Sequence, residues 1–171
     1  MTLIAASSFR GALVLAAMFA MHPASANCTL VSGNPAVTPD SRFAIAGVGA
    51  VLDTRTGLTW RQLTTSGLSW DAAVAAANAD TTAGFTDWRL PLREELLTIV
   101  ETGCVLPALN TTIFGPLGPI SGAWTATNGR GPTAWYVHFG YGYDYYEGKS
   151  TAFAARFVRD GTSILFADGF E

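Results

Sequence analysis

Apolar and polar residues alternate in two separate parts of the chain, and between these parts the apolar residues recur at helical spacing. The alternation through residues 43–53, the turn formers of residues 54–57 and a short apolar run ending at Trp60 predict a β-hairpin. The last third predicts strands, separated by glycine-containing turns, at residues 123–127, 133–139, 143–149 and 150–160. We therefore expect a front hairpin and a back set of strands.

Two helices are predicted between these regions, and the first is the clearer of the two. Ser69 is suited to cap its N-terminus, Asp71 lies in its first turn, and alanines dominate the sequence that follows. Its apolar residues fall at i, i+3, i+4 and i+7 and predict one buried stripe. This stripe consists of Trp70, Ala73, Val74 and Ala77.

The second helix is predicted to begin near Pro91, which lacks a backbone N–H and so suits a helix entry. Glu94 and Glu95 lie where a helix N-terminus is electropositive, and Gly103 suits the C-terminal cap. The apolar stripe of this helix consists of Leu92, Leu96, Leu97 and Val100.

Two segments predict irregular structure because prolines and turn formers interrupt them. Residues 29–41 form a lead-in in which we expect no core, and residues 105–122 are apolar enough to pack as a long ordered loop.

The N-terminus predicts a secretory signal peptide. Arg10 precedes the apolar run of residues 11–21, and Ala24-Ser25-Ala26 is a small-x-small cleavage pattern. This run is well short of the ~20 residues that span a bilayer as a helix. We expect cleavage after Ala26, a mature protein without a membrane span, and a secreted or periplasmic location.

Charge excludes one class of partner. The net charge is −3, removal of Arg10 makes it more negative, and Lys149 is the only lysine. Nucleic-acid binding needs a basic face that neutralises phosphates, and we therefore expect no nucleic-acid partner.

The chain has two cysteines, Cys28 and Cys104, and the signal peptide directs it to an oxidising compartment. A single disulfide between them is the simplest pairing, and it would tie down the mature N-terminus.

Several motifs, in this order and spacing, resemble the Lcl C-terminal domain family of bacterial secreted and surface domains, named after a collagen-like adhesin. They are VLDTRTGLTW, SWDAAVAAAN, GFTDWRLPLREELLTIV, AWTAT, TAWYVHF and ARFVRD. The resemblance covers about residues 43–160. It departs from the family at Leu92, where a capping threonine is common, and at Phe157, where a cysteine is usual.

The RLP motif with an acidic helix start also resembles the sulfatase-modifying-factor proteins, which share a C-type-lectin-like fold. The resemblance therefore implies an α+β domain with two helices packed on a twisted, mainly antiparallel sheet and with long loops. We expect a signal peptide at residues 1–26, a lead-in at 27–42, the domain at 43–160 and a C-terminal strand or tail at 161–171.

Enzymatic chemistry has few candidate residues. His138 is the only histidine after the signal peptide, it lies in a predicted strand, and no serine or cysteine has a recognisable nucleophile setting. One histidine cannot build a His-rich metal site, and the carboxylates cluster only around Asp144 and Glu147. We expect no catalytic residue, no metal and no cofactor.

The segment FGYGYDYYEGK is the best candidate for ligand binding. If the strand runs straight, Tyr141, Tyr143 and Tyr145 lie on one side. Asp144, Tyr146 and Glu147 are expected on the other side. Tyrosine offers a flat ring and a hydroxyl that suit a sugar or a protein surface. The alternative is that these rings only form the sheet.

Asp87, Trp88 and Arg89 precede the second helix and predict a structural motif. A large apolar ring and a bidentate guanidinium at a helix entry suit a brace between loop, helix and sheet.

These observations predict an exported, non-enzymatic module that binds a surface glycan or protein, with its oligomeric state open. The basic ligand surface of the named adhesin has no counterpart in this acidic chain, so a neutral glycan or a protein suits it better. Two alternatives remain: a degenerate relative of the formylglycine-generating, sulfatase-modifying enzymes, and a structural envelope protein.

Overall fold

A computed structural model of the chain, which describes residues 29–30 and 37–161, combines β-sheets with a few short helices. The strands are β1 (Thr29–Leu30), β2 (Phe43–Gly47), β3 (Ala50–Asp53), β4 (Leu58–Arg61), β5 (Thr65–Leu68), β6 (Cys104–Val105), β7 (Gly122–Asn128), β8 (Thr133–His138), β9 (Tyr143–Gly148), β10 (Phe153–Ala155) and β11 (Val158–Asp160). The α-helices are α1 (Trp70–Asn78), α2 (Arg93–Leu97) and α3 (Thr111–Phe114).

The described strands form three sheets. Five strands lie in the order β5-β10-β7-β8-β9, four in the order β11-β4-β3-β2, and β1 pairs with β6. The pairing of β10 with β7 is parallel, and the other pairings are antiparallel. The predicted α+β class is therefore confirmed.

The front of the domain differs from the single predicted hairpin. A tight turn at Val48 and Gly49 divides the alternating segment into β2 and β3, and β4 completes a three-stranded meander. Gly49 has a φ of +80°, in the left-handed region that favours glycine, and this conformation makes the turn there. The alternation that predicted a single strand continues through both β2 and β3, so the pattern did not indicate the turn between them.

The first helix matches its prediction, and the second is shorter. The Ser69 hydroxyl accepts a hydrogen bond from the Ala72 N–H at 3.4 Å, and Ala73 and Ala77 are buried. In contrast, α2 ends at Leu97, and Val100 makes a β-bridge with Leu109. Val100 thus pairs with a residue nine positions later in the chain and does not continue the helix.

Two segments differ from their predictions. The loop of residues 105–122 includes α3, which the Asn110 side chain caps by accepting from the Ile113 N–H at 3.2 Å. The predicted last strand, residues 150–160, is divided into β10 and β11, which belong to different sheets. The chain thus joins the five-stranded and four-stranded sheets through Arg156 and Phe157.

The core has two hydrophobic clusters. Trp60, Leu96, Ile99 and Val137 belong to the cluster beside α2. Trp88 and Trp124 belong to the cluster beside α1. The side chains of all three tryptophans are almost completely buried, so they fix the packing of sheets on helices.

The end of the lead-in contributes to the core, contrary to its prediction. Thr38 and Arg42 are buried, and Thr38 donates to the carboxylate of buried Glu101 through its N–H at 2.9 Å and its hydroxyl at 2.6 Å. The Arg42 guanidinium contacts buried Asp53 at 2.7 Å and 2.5 Å.

Cys104 is buried and is not a free thiol. Cys28 and the predicted signal peptide lie outside the described residues, so their roles stay predictions. Among the described residues, no helix has both the length and the apolar character to cross a membrane.

Candidate binding surface

The β8–β9 hairpin positions the tyrosines of the candidate site. Its strands pair over their whole length, from Thr133 with Gly148 to His138 with Tyr143, and residues 139–142 form the turn. Gly142 has a φ of +77°, and a Cβ there would lie 3.0 Å from the Val100 side chain. Glycine is therefore required to bring this turn close to the core.

Four tyrosines of this hairpin are exposed. Tyr146, which is 40 % exposed, stacks on Tyr145, and the other three are the predicted contact residues. Tyr141 is 57 % exposed, Tyr143 is 47 % exposed and Tyr145 is 53 % exposed. Because side chains alternate along a strand, Tyr143 and Tyr145 lie on the same face of β9 as Glu147. We call this face the tyrosine surface; it consists of His138, Tyr141, Tyr143, Tyr145 and Glu147.

His138 lies at the centre of an aromatic stack that sequence reasoning missed. Its ring is 5.6 Å from the Tyr141 ring and 4.9 Å from the Tyr143 ring, with interplanar angles of 19° and 7°. Its Nδ1 atom is buried and has no hydrogen-bond partner. The sequence could have indicated this stack, because a hairpin whose turn is residues 139–142 pairs His138 with Tyr143.

The two acidic candidates lie on opposite faces of β9, contrary to the predicted grouping of Asp144 with Glu147. Asp144 forms an ion pair with Arg93 of α2, and the Arg93 guanidinium lies 4.5 Å from the centre of the Trp135 ring. The period of two along a strand separates Glu147 from Asp144. Asp144 therefore joins α2 to the sheet and is not part of the tyrosine surface.

Tyr136 connects the tyrosine surface to the core. Its ring stacks on Phe153 at 4.3 Å and meets the edge of Trp124 at 6.4 Å. Burial, followed by the neighbouring Tyr143, raises the pKa of the Tyr136 hydroxyl. Tyr136 lies opposite Tyr145 in the strand register, so these packed rings adjoin the exposed ones. Side chains that are already ordered by packing lose less entropy when a ligand binds.

A cavity of about 610 Å³ adjoins the turn of the hairpin. Gly140, the residue before Tyr141, forms part of its wall together with apolar and hydroxyl side chains. These are Leu106, Pro107, Thr111, Thr112, Pro116, Leu117 and Ser121. A ligand on the tyrosine surface therefore has an apolar recess beside it.

Asp87, Trp88 and Arg89 lie in contacts between loop, helix and sheet. The Trp88 indole is buried and donates to the Thr82 carbonyl at 3.1 Å. Arg89 donates to both oxygens of Glu95 at 2.7 Å and 2.8 Å.

The strand β11 completes these contacts. Asp160 accepts from Arg89 at 2.8 Å, Arg159 pairs with Asp87 at 2.7 Å, and the backbones of Arg89 and Val158 exchange hydrogen bonds. These are the contacts through which the predicted brace would act.

No group of three or more His, Cys, Asp or Glu side chains in the described part of the chain is arranged to hold a metal ion. The tyrosine surface offers rings, hydroxyls and one carboxylate, which are groups for recognition by contact.

Comparison with protein families assigns the chain. The model of the Lcl C-terminal domain matches residues 49–159, which include β3 and β4 of the front meander, both core clusters and the tyrosine surface. A search of curated proteins found no match. The matched region is more than half of the chain, and the protein therefore belongs to the Lcl C-terminal domain family.

Proposed function

We propose that this protein is an exported, non-enzymatic binding module of C-type-lectin-like fold, and that its tyrosine surface binds a surface glycan or protein. The observation that carries the proposal is the row of three half-exposed tyrosines, in which Tyr141 and Tyr143 stack on His138 and Tyr145 stacks on Tyr146. Exposed rings on a rigid support provide contact area at a low entropic cost.

The charge of the molecule supports a neutral or basic ligand. The chain carries a net charge of −3, and no described arginine or lysine lies over a ring of the tyrosine surface. A sulfated polysaccharide would meet no basic patch there.

The state of Cys104 supports the non-enzymatic part of the proposal. The formylglycine-generating enzymes use a reactive pair of cysteines, whereas Cys104 is buried and is not a free thiol. Thiol labelling and metal analysis of the purified protein test this part. A labelled cysteine or a stoichiometric metal would favour the enzymatic alternative.

A glycan array and a panel of surface proteins test the binding site. The double variant Tyr143→Ala/Tyr145→Ala is expected to lose at least about tenfold in affinity for any ligand found, because exposed aromatic contacts contribute ~1 kcal/mol each. Val48→Ala is the matched control, since Val48 is exposed on the front meander. Unchanged affinity in the folded double variant would disprove the site.

A further inference from the structure

We propose that the ligand of the tyrosine surface is an extended peptide with lysine or arginine at alternate positions, which adds to β9 as a further strand of the five-stranded sheet. This inference rests on the proposed binding function of that surface and identifies the class of its partner.

The first argument is the edge itself. β9 is the last strand of its sheet and, with six residues, the longest edge strand in the described part of the chain. Its register with β8 has no bulge, whereas irregular registers interrupt the edge strands β2 and β5. Proteins protect edges with bulges, prolines or charged side chains. β9 has no bulge and no proline, and its charged residues are the carboxylates Asp144 and Glu147, which disfavour an acidic strand but not a basic one. An edge of this kind accepts an extended peptide through backbone hydrogen bonds.

The second argument is the spacing of side chains. Tyr143, Tyr145 and Glu147 occupy every second position of β9, so they are about 7 Å apart along the strand. An added strand presents its own alternate side chains at this spacing. Each cationic side chain on that face would lie over a tyrosine ring or beside the Glu147 carboxylate.

The third argument is that no internal cation serves these groups. The six cation–π contacts of the described residues use rings of phenylalanine and tryptophan, and none uses a tyrosine. The seven described ion pairs do not include Glu147. The surface is therefore complementary to a positive charge from outside the molecule.

Charge also distinguishes a basic peptide from a second copy of the chain. A second β9 edge would bring two further carboxylates, Asp144 and Glu147, and no lysine or arginine to the strand pair. Like charges close together across a strand pair destabilise it. A basic peptide meets no such repulsion.

Fluorescence anisotropy with a labelled peptide of alternating lysine and threonine tests the proposal on the full mature protein. We expect saturable binding that weakens as salt is added. A peptide of alternating glutamate and threonine should bind more weakly, because its charge is reversed. A peptide of alternating lysine and proline should also bind more weakly, since it keeps the charge but cannot donate backbone hydrogen bonds at every second residue.

Variants locate the peptide on the surface. Glu147→Gln is expected to weaken binding by about two- to fivefold, and Tyr145→Ala by a similar factor. Asp71→Asn on α1 is the charge control, and Val48→Ala is the control for loss of exposed apolar area. Both controls should bind like the unaltered protein. Hydrogen exchange of the amides of residues 143–148 should slow when the peptide binds.

Four results would overturn the inference. Equal binding of the proline-containing peptide would show attraction by charge without strand addition. Concentration-dependent dimerisation that Tyr145→Ala abolishes would identify a second copy as the partner. Binding of glycans that depends on Tyr143 and Tyr145, with no binding of the basic peptide, would disprove the peptide while the proposed function stands. If the tyrosine variants alter no binding at all, both proposals fail.

Discussion

Glu101 is a buried carboxylate that hydrogen bonds hold in place. It has no cationic partner among the described residues and accepts hydrogen bonds from Val37, Thr38 and Gly103. Burial by itself raises the pKa of Glu101, but these hydrogen bonds outweigh burial, and the pKa lies below its ordinary value of 4.5. Ionised Glu101 therefore joins the lead-in to the segment after α2.

This shift predicts a loss of stability in acid. A carboxyl group with a lowered pKa contributes stability above its ordinary pKa, about 4.5 here, and the contribution is lost as the pH falls through the folded-state pKa. Glu101→Gln should lower the free energy of unfolding at pH 7 by ~2 kcal/mol and should flatten its dependence on pH below about 5. Urea unfolding between pH 7 and pH 3 measures both. Glu94→Gln, at an exposed position, is the control and should change neither.

Substitution of Arg89 tests the predicted brace between loop, helix and sheet. Arg89→Ala removes both bonds to Glu95 and the bond to Asp160, but the side chain is 36 % exposed, so solvent screening reduces the loss. We expect the free energy of unfolding to fall by ~2 kcal/mol, with ligand affinity unchanged in the folded fraction. Arg55→Ala, at an exposed position without a described ion pair, should have little effect. A folded Arg89→Ala protein that has lost its ligand would instead assign Arg89 to the binding site.

At the scale of elements, the aromatic base of the tyrosine surface depends on a glycine in β7. The Phe153 and Tyr136 rings cover Gly122, and a Cβ there would lie 2.7 Å from Phe153 and 3.2 Å from Tyr136. Because glycine has no side chain, Gly122 leaves room for the stack of Phe153 and Tyr136 beside the exposed tyrosines.

Gly122→Ala should therefore destabilise the domain by ~1–3 kcal/mol, since the rings must move from a well-packed position. Gly118→Ala is the matched control, because a Cβ there makes only an ordinary contact, 3.5 Å from Ser66. Thermal unfolding of both variants measures the difference. Equal melting temperatures would show that the ring stack adjusts without cost.

Elements that depend on local interactions were predicted well, and elements that depend on distant partners were not. α1 is capped by its own Ser69, so its start was visible in the sequence. The early end of α2 depends on the bridge between Val100 and Leu109, and the division of β10 from β11 depends on different partner strands. No local pattern encodes these pairings.

At the scale of the whole molecule, the predicted disulfide would connect the mature N-terminus to the domain. β1 pairs Leu30 with Cys104 and Thr29 with Val105, so the chain beside Cys28 adjoins the chain beside Cys104. The predicted crosslink closes a long loop and should stabilise the folded protein by ~4 kcal/mol relative to the reduced form. Intact mass after alkylation, with and without reductant, tests the bond. Two alkylated cysteines in the absence of reductant would refute it.

The sequence by itself determined the α+β class, the first helix, most strands and the family, because these depend on local periodicity, capping and short motifs. It also identified the tyrosine-rich segment. Only the tertiary structure decided the composition of the tyrosine surface. The hairpin register added His138, and the ion pair of Asp144 with Arg93 of α2 excluded Asp144. The position of Glu147 beside the rings, in contrast, follows from the period of two along β9. Such groupings depend on contacts between residues distant in sequence, and single-sequence patterns do not encode those contacts.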